Sequence, residues 1–256
     1  SSLILILIIS SSVLKQVEWT KEIGTINVKV YQPNLSLEEK WSYRGIRETR
    51  SLIEESVNQA KKNDFIFFPE TALIQEESEI KDWMEELNNT LEKKSISLIT
   101  GIIGKSSEGY TNRLQGFGKA EEYYDKMHLV PFGEYIPFKK SLGDILKIIG
   151  LNIENMVPGR AHNIIKSGEI RISPTICYEI SFNELVRKSS LNSHIILTVS
   201  NDTWFGSSIG PDQHLEIAQN RALEHQKGLI RSTNSGISAL INKKGKILDK
   251  IDRLEG

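Results

Sequence analysis

The chain is 256 residues long, which is enough for one large α/β domain with a substantial core. Its 32 basic and 33 acidic residues leave a net charge of −1, and a charged fraction of 25% is ordinary for a globular protein. Because no basic stripe is present, we expect no nucleic-acid partner, and we expect no cofactor. The one cysteine, Cys177, excludes an intrachain disulfide and argues against a structural zinc site, which usually needs several thiolates or a Cys/His cluster.

An uninterrupted apolar run, Leu3 to Ile9, lies close to the first residue. As a helix it would extend about 10 Å, against a bilayer core of about 30 Å, so it cannot cross a membrane as it stands. It could be the remnant of a transmembrane helix, the end of a signal sequence or a buried strand. The pattern favours the strand, whereas a first residue Ser1 in place of Met favours the remnant. We expect residues 1–20 to be a remnant of an N-terminal membrane-associated segment or a linker, followed by one domain over 21–256.

The predicted elements alternate between strands and helices. Period-two alternation predicts a strand over 25–30, and a continuous apolar run predicts a strand buried on both faces over 64–68. Helical spacing of apolar side chains predicts a helix over 37–61, opened by a Ser36 cap. The other predicted elements are helices over 80–94 and 212–227, a hairpin pair over 114–124, and strands over 96–103, 170–176, 194–199, 229–232, 237–241 and 246–248. Helices between strands, with hairpins late in the chain, predict an α/β protein with a mixed sheet.

Three polar residues of complementary type follow predicted strands. Glu70 is separated by one proline from the strand over 64–68, and Cys177 directly follows the strand over 170–176. Lys126 comes two residues after the aromatic pair that ends at Tyr124. Ligands in open α/β sheets gather at the carboxyl ends of strands, so these three side chains could meet although they are far apart in the sequence.

Such a set suits acyl transfer. A cysteine attacks as the thiolate, which a neighbouring carboxylate can generate by taking the proton. A nearby ammonium favours the thiolate and stabilises the oxyanion that forms when a carbonyl is attacked. The residue types alone leave other interpretations open: Cys177 as an inert small hydrophobe, Glu70 as a helix N-terminal carboxylate and Lys126 as a solvated charge.

Five collinear blocks between Gly24 and Leu248 resemble the nitrilase superfamily of Cys-Glu-Lys carbon–nitrogen hydrolases, and more closely its apolipoprotein N-acyltransferase branch. The blocks are Phe67-Phe68-Pro69-Glu70-Thr71; Tyr124-Asp125-Lys126-Met127-His128-Leu129-Val130-Pro131-Phe132-Gly133-Glu134-Tyr135-Ile136-Pro137; Ile176-Cys177-Tyr178-Glu179; Ser200-Asn201-Asp202-Thr203-Trp204-Phe205-Gly206; and Arg231-Ser232-Thr233-Asn234-Ser235-Gly236-Ile237-Ser238. The resemblance implies a nitrilase-like α-β-β-α sandwich with mixed β-sheets. It also implies that Glu70 is the general base, Lys126 the oxyanion-stabilising cation and Cys177 the nucleophile.

The resemblance extends to residues around this triad. Glu134 matches the second acid that family members place beside the triad, and Tyr178 and Glu179 would shape the pocket after the nucleophile. Trp41 and Trp204 match aromatic positions that help to position a lipid substrate. Each also has a structural alternative, because aromatic side chains are more often core or rim residues and acids often orient neighbours.

The implied reaction transfers an acyl chain from a phospholipid, through a cysteine thioester, to the N-terminal amine of diacylglyceryl-cysteine in a bacterial lipoprotein. The implied location is the bacterial inner membrane, with the catalytic domain on the periplasmic side and the full-length protein acting as a monomer. Residues 142–151, with apolar side chains at helical spacing, could be a mobile lid that touches the membrane or an ordinary core helix. The alternatives are a soluble amidase or carbamoylase with water as the acceptor, or a non-catalytic domain that binds lipid or a partner.

The chain also departs from the pattern of this branch. Family members carry several N-terminal transmembrane helices and one after the catalytic domain, of which only Leu3 to Ile9 could remain here. The final strands expected after Leu248 are also largely absent, so we expect a domain truncated at its C-terminal end.

Overall fold

The computed structural model describes residues 2–14, 16–137 and 156–253. The helices are α1 Ser2–Leu14, α2 Leu37–Lys40, α3 Tyr43–Gln59, α4 Lys81–Lys94, α5 Asn183–Ser190 and α6 Gly210–His225, with 3₁₀ turns at Glu77–Glu79, Cys177–Ser181 and Asp202–Phe205. The strands are β1 Val28–Val30, β2 Phe65–Phe67, β3 Leu73–Glu76, β4 Ser97–Ser106, β5 Gly109–Gly118, β6 Ala120–Glu121, β7 Tyr123–Asp125, β8 Ile165–Ser167, β9 Ile170–Ile176, β10 Ile195–Ser200, β11 Leu229–Thr233, β12 Ser238–Ile241 and β13 Ile247–Ile251.

The strands form two mixed sheets. The first has the order β1-β2-β4-β5-β7, with β3 also paired to β4, and the second has the order β13-β12-β11-β10-β9-β8-β6. In the first sheet β1, β2 and β4 are parallel, and β5 is antiparallel to both β4 and β7. In the second sheet β9, β10 and β11 are parallel. Strands β2 and β7 therefore run in the same direction, and the three central strands of the second sheet share one carboxyl edge.

Side-chain alternation along the strands builds four layers. Phe65 and Phe67 of β2 face the second sheet, where they join a cluster with Ile172 and Leu197, whereas Ile66 faces the other way. Helices α3 and α4 cover the first sheet on that outer face, and α5 and α6 cover the outer face of the second sheet. The architecture is the predicted α-β-β-α sandwich with two mixed sheets, and that prediction is confirmed.

The predicted helix over 37–61 is two helices, α2 and α3. Ser36 forms a capping box with Glu39 at the start of α2, as expected. A second cap, Ser42, accepts from the backbone N–H of Gly45 and starts α3. The two serine caps lie six positions apart in the sequence, and α2 has only one turn before Trp41 ends it.

The predicted hairpin over 114–124 is confirmed by the antiparallel pairing of Leu114 with Tyr124. The same strand, β5, begins earlier, at Gly109, and pairs with β4 along its whole length. Residues 109–113 were not predicted as a strand because they are largely polar. Arg113 is nevertheless buried, because its guanidinium donates to the carboxylate of Asp125 on the neighbouring strand.

The strand predicted for Leu3 to Ile9 is wrong. These residues belong to helix α1, and all of its described side chains are exposed. A helix satisfies its backbone hydrogen bonds internally, so it needs no partner strand. No helix in the described ranges is long and apolar enough to span a bilayer. The lid predicted over 142–151 lies outside the described residues.

Candidate active site

The three candidate residues follow the carboxyl ends of strands in both sheets. Glu70 lies in the turn after β2, Lys126 follows β7, and Cys177 follows β9. Glu70 and Lys126 are buried, and Cys177 retains partial exposure. The helix start suggested as an alternative for Glu70 is absent, since the chain runs from this turn into β3, and the solvated position suggested for Lys126 is also wrong.

Lys126 lies among acidic side chains. Its Nζ atom is 3.4 Å from Oε1 of Glu70 and donates to Oε1 of Glu134 at 3.0 Å. Burial lowers the pKa of Lys126, but the charges of Glu70, Cys177 and Glu134 outweigh it and raise this pKa well above its usual range. Lys126 is therefore a permanent cation. Its ammonium also lies 5.7 Å from the centre of the Tyr178 ring.

The carboxylate of Glu70 is bound by both sheets. Its Oε1 atom accepts from the side-chain amide of Asn112 on β5 at 2.7 Å, and its Oε2 atom accepts from the backbone N–H of Asn201, after β10, at 2.8 Å. The same Asn112 nitrogen donates to Oε1 of Glu134 at 2.8 Å. These bonds hold two carboxylates on either side of Lys126.

Cys177 is the first residue of a 3₁₀ turn and has a φ of 57°. A left-handed conformation is uncommon for a non-glycine residue and turns the chain sharply at the end of β9. Burial and the charge of Glu70 raise the pKa of the thiol to about 12, whereas the charge of Lys126 and a hydrogen bond with Ser200 lower it. The charges of Glu70 and Lys126 therefore act on the pKa of the thiol in opposite directions. At neutral pH it is protonated and needs a base to become a nucleophile.

A buried polar network lies next to the turn of Cys177. Nε2 of His214 donates to the carbonyl oxygen of Cys177 at 3.1 Å, and Nδ1 faces Oδ1 of Asp202 at 3.2 Å. Asp202 also binds Nη2 of Arg231 at 2.5 Å and accepts from the Ser200 hydroxyl at 2.5 Å. The network joins the turn of Cys177 to helix α6 and strands β10 and β11.

Glu179 is fully buried and its carboxylate serves the backbone around the site. It accepts from the backbone N–H groups of Ile176, Met127 and His128 at 2.7 to 3.0 Å and from the hydroxyl of Tyr124 at 3.0 Å. Burial raises the pKa of Glu179, and the backbone hydrogen bonds only partly offset that effect. The backbone next to Cys177 and next to Lys126 is thereby held by one side chain.

Tyr178 and Glu134 both brace the loop that follows Lys126. The Tyr178 hydroxyl donates to the carbonyl of Leu129 at 2.8 Å, and Oε2 of Glu134 accepts from the backbone N–H of Val130 at 2.8 Å. Both side chains also contact Lys126, Glu134 by a hydrogen bond and Tyr178 through its ring.

Trp41 and Trp204 are surface residues, with exposed fractions of 58% and 72%. Within the described ranges, neither makes a hydrogen bond or ring contact with the three candidate residues. Trp41 directly follows Lys40, whose ammonium donates to the Glu70 carbonyl at 3.0 Å. Trp204 lies in the 3₁₀ turn that follows Asn201, whose backbone N–H donates to the Glu70 carboxylate. The segments that carry the two exposed rings are therefore each linked to Glu70 by a hydrogen bond of a neighbouring residue.

Sequence reasoning missed the supporting residues. Asp202 and Arg231 stand in blocks that carried the resemblance, so their place in the sequence was a usable signal. No such sequence signal marks Asn112, His214 or Lys40, because their roles depend on contacts between distant elements. No group of three or more His, Cys, Asp or Glu side chains in the described part of the chain is arranged to hold a metal ion.

Comparison with known proteins agrees with this geometry. The family model described as carbon-nitrogen hydrolase matches residues 30–256. The chain is 33% identical over 249 residues to the apolipoprotein N-acyltransferase of Pseudomonas syringae pv. tomato, covering 94% of this chain and 49% of that relative. It is 35% identical over 243 residues to the protein of the same name in Photobacterium profundum, covering 90% of this chain and 47% of that relative.

Solved structures share the fold at low sequence identity. A carbon-nitrogen hydrolase from Helicobacter pylori matches with a TM-score of 0.67 and 17% identity, covering 89% of this chain and 85% of that one. An amidase from Nesterenkonia sp. matches with a TM-score of 0.62 and 15% identity, covering 93% of this chain and 90% of that one. The two sheets, the outer helices and the family match over residues 30–256 lead to one conclusion. The chain belongs to the carbon–nitrogen hydrolase family.

Proposed function

We propose that this chain carries the catalytic domain of an N-acyltransferase that moves an acyl chain from a phospholipid to the N-terminal amine of diacylglyceryl-cysteine in a lipoprotein. The observation that carries the proposal is the identity of 33% along 94% of the chain with a relative named apolipoprotein N-acyltransferase. The chain spans about half the length of that relative, so the activity of the whole protein is part of the proposal.

In the first half-reaction, Sγ of Cys177 attacks the ester carbonyl carbon of the phospholipid while its proton passes to Glu70. The ammonium of Lys126 stabilises the oxyanion. The carbon–oxygen bond to the glycerol then breaks, Glu70 returns the proton to the leaving oxygen, and a lysophospholipid departs. A thioester on Cys177 remains.

In the second half-reaction, the amine nitrogen of the lipoprotein attacks the thioester carbonyl. Glu70 takes a proton from that nitrogen, the carbon–sulfur bond breaks, and an amide forms. The proton on Glu70 then returns to the sulfur of Cys177, which restores the starting state. Water has to be excluded in between, because hydrolysis would consume the thioester.

The surroundings support a lipid substrate. Helix α1 exposes Leu and Ile side chains along its whole length, and Trp41 and Trp204 present aromatic surface close to the Glu70 turn. We propose that residues 1–20 belong to a membrane-associated segment and that the domain acts on the periplasmic side of the inner membrane as a monomer. Glu134 and Tyr178 are proposed to keep Lys126 in place.

A soluble amidase is the second candidate. The amidase from Nesterenkonia sp. shares the fold, and the same three side chains could use water as the acceptor. Its identity of 15% is far below that of the acyltransferase relatives, which favours the first proposal.

The test is to incubate the full-length protein with phospholipid vesicles and a synthetic diacylated lipopeptide, followed by mass spectrometry. We expect an N-acylated lipopeptide and a lysophospholipid. When the lipopeptide is left out, we expect an acyl adduct on the proteolytic fragment of the protein that contains Cys177. The Cys177→Ala variant should form none of these. Free fatty acid or ammonia as the only product would reject the transferase in favour of a hydrolase.

A further inference from the structure

Lys40 is a buried cation beside the candidate site. Its side chain is 5% exposed, and its Nζ atom donates to the carbonyl oxygen of Glu70 at 3.0 Å and to Oγ1 of Thr71 at 2.7 Å. It has no carboxylate within salt-bridge distance in the described part of the chain. Burying an ammonium without a paired carboxylate is costly, so its position calls for a local reason.

The electrostatics of Lys40 agree with its placement. Burial lowers the pKa of Lys40 to about 8, and the carboxylate of Glu70 partly opposes that shift. Glu70 is thus the charged group that acts on Lys40, whereas Lys40 is not among the groups that act most strongly on the thiol of Cys177.

The two acceptors of Lys40 belong to a strained turn. Thr71 has a φ of 45°, which is an outlier for a β-branched residue and persists only where surrounding contacts impose it. The turn also lies directly against Gly101 on β4, where any side chain would collide with the backbone of Pro69 and Thr71. The turn that presents Glu70 is therefore held by β4 on one side and by Lys40 on the other.

Lys40 reaches the turn from the one-turn helix α2, whose next residue is the exposed Trp41. Helix α2 is itself held by the capping box of Ser36 and by Gly45, which leaves no room for a side chain under the Glu39 carbonyl. The ammonium thus links a rigid surface helix to the backbone of Glu70.

We propose that Lys40 is a positioning residue that acts through Glu70, holding the Glu70–Thr71 turn so that the carboxylate faces Cys177, and that it mechanically links this base to the surface helix that bears Trp41. The inference rests on the proposed role of Glu70 as base.

The test reads the thiol directly and does not depend on any acyl substrate. In the full-length protein, the rate of iodoacetamide modification of the Cys177 peptide is measured against pH by mass spectrometry. Because the charge of Glu70 raises the pKa of this thiol, displacement of Glu70 lowers the midpoint of the profile. We expect Lys40→Met to lower that midpoint, with modification about threefold faster or more at a fixed pH below it, since one pH unit is tenfold. In a Glu70→Gln background, Lys40→Met should have no further effect.

Two variants complete the design. Thr71→Val removes one acceptor of Lys40 without removing its charge, so it should shift the midpoint in the same direction by less, and it serves if Lys40→Met does not fold. Lys227→Met is the matched control: this lysine also donates to two carbonyls, of Ser190 and Ser193, and burial also lowers its pKa. It should leave the midpoint unchanged.

An unchanged midpoint in folded Lys40→Met, or an equal shift with and without Glu70, would overturn the positioning role. Failure of the acyltransferase assay alone would instead reject the proposed function, because thiol modification reports on Cys177 whatever its natural substrate is.

Discussion

Nε2 of His214 lies 3.1 Å from the carbonyl oxygen of Cys177, the residue whose left-handed backbone turns the chain after β9. Both ring nitrogens of His214 face oxygen atoms, on Cys177 and on Asp202. The proposed nucleophile is thus contacted on its backbone by a side chain of helix α6.

Replacing His214 by alanine should impair both stability and thioester formation. The part-buried carbonyl of Cys177 loses the hydrogen bond from His214, which we expect to lower the free energy of unfolding by about 1–3 kcal/mol. Urea unfolding measures the first effect, and single-turnover acyl-adduct formation on Cys177 measures the second. His225→Ala is a suitable control, since His225 contacts only the Ser190 hydroxyl, at 3.3 Å, in the described structure. Equal adduct formation by His214→Ala and the native protein would refute the orienting role.

Removing the charge of Glu70 and removing the charge of Lys126 should move the pKa of Cys177 in opposite directions. Glu70→Gln removes a negative charge and should lower the thiol pKa, whereas Lys126→Met removes a positive charge and should raise it. The pH dependence of iodoacetamide modification gives both values. Both variants should nevertheless lose turnover, because the first lacks the proposed base and the second lacks the proposed oxyanion stabiliser. Shifts of the same sign in the two variants would contradict the described geometry.

The buried ion pair of Asp202 and Arg231 should contribute to stability in a pH-dependent way. Removing one partner of a buried pair strands the other, so Arg231→Met should cost about 3–5 kcal/mol. Burial raises the pKa of Asp202, but His214 and Arg231 outweigh it and the pKa is lowered in the folded protein. The contribution is therefore present above the unfolded pKa of about 3.9 and lost as the pH falls through the lower folded value.

Urea midpoints measured at several pH values test this expectation. Asp202→Asn should be less stable than the native protein near neutrality, and the difference should shrink on acidification. The exposed pair Arg187–Glu184 is the control, and Arg187→Met should leave the midpoint nearly unchanged. A difference between Asp202→Asn and the native protein that does not vary with pH would contradict the assignment.

Glu179→Gln tests whether this acid is structural. The amide that replaces the carboxylate keeps only one oxygen acceptor, so its NH2 group must face either the backbone N–H of Ile176 or those of Met127 and His128, and we expect a loss of about 1–3 kcal/mol in unfolding free energy. Glu169→Gln, at an exposed position, should have no such effect. If Glu179→Gln retained full stability and lost only activity, a direct role in the pocket would replace the structural one.

Trp204→Ala should separate lipid capture from stability. The side chain is 72% exposed, so the free energy of unfolding should change by no more than about 0.5 kcal/mol. Acyl transfer from phospholipid vesicles should fall because the exposed ring is removed from the Glu70 side of the site. A short-chain, monomeric donor provides the internal comparison, and its transfer rate should change little. An equal loss with both donors would place the effect in the chemistry and not in lipid capture.

The resemblance of five blocks identified the family, and hydrophobic periodicity located most of the strands, because both signals are local in the sequence. Hydrophobic periodicity failed to predict a strand whose burial depends on a charged partner on the neighbouring strand. Residues 109–113 are polar yet form a strand, since Arg113 is neutralised by Asp125 on the adjacent strand. Leu3 to Ile9 showed the opposite failure, because an apolar run does not say whether its backbone will bond to itself or to a neighbour.

The sequence by itself determined which residues are candidates for the chemistry: one thiol at the end of a strand, a carboxylate after another and a lysine after a third. Only the tertiary structure decided how they are held. The bonds from Asn112 and Asn201 to Glu70, from His214 to Cys177 and from Lys40 to the Glu70 turn join residues 30 to 131 positions apart. Such contacts leave no periodic trace, because a single hydrogen bond between two distant side chains constrains their positions in space and not their spacing along the chain.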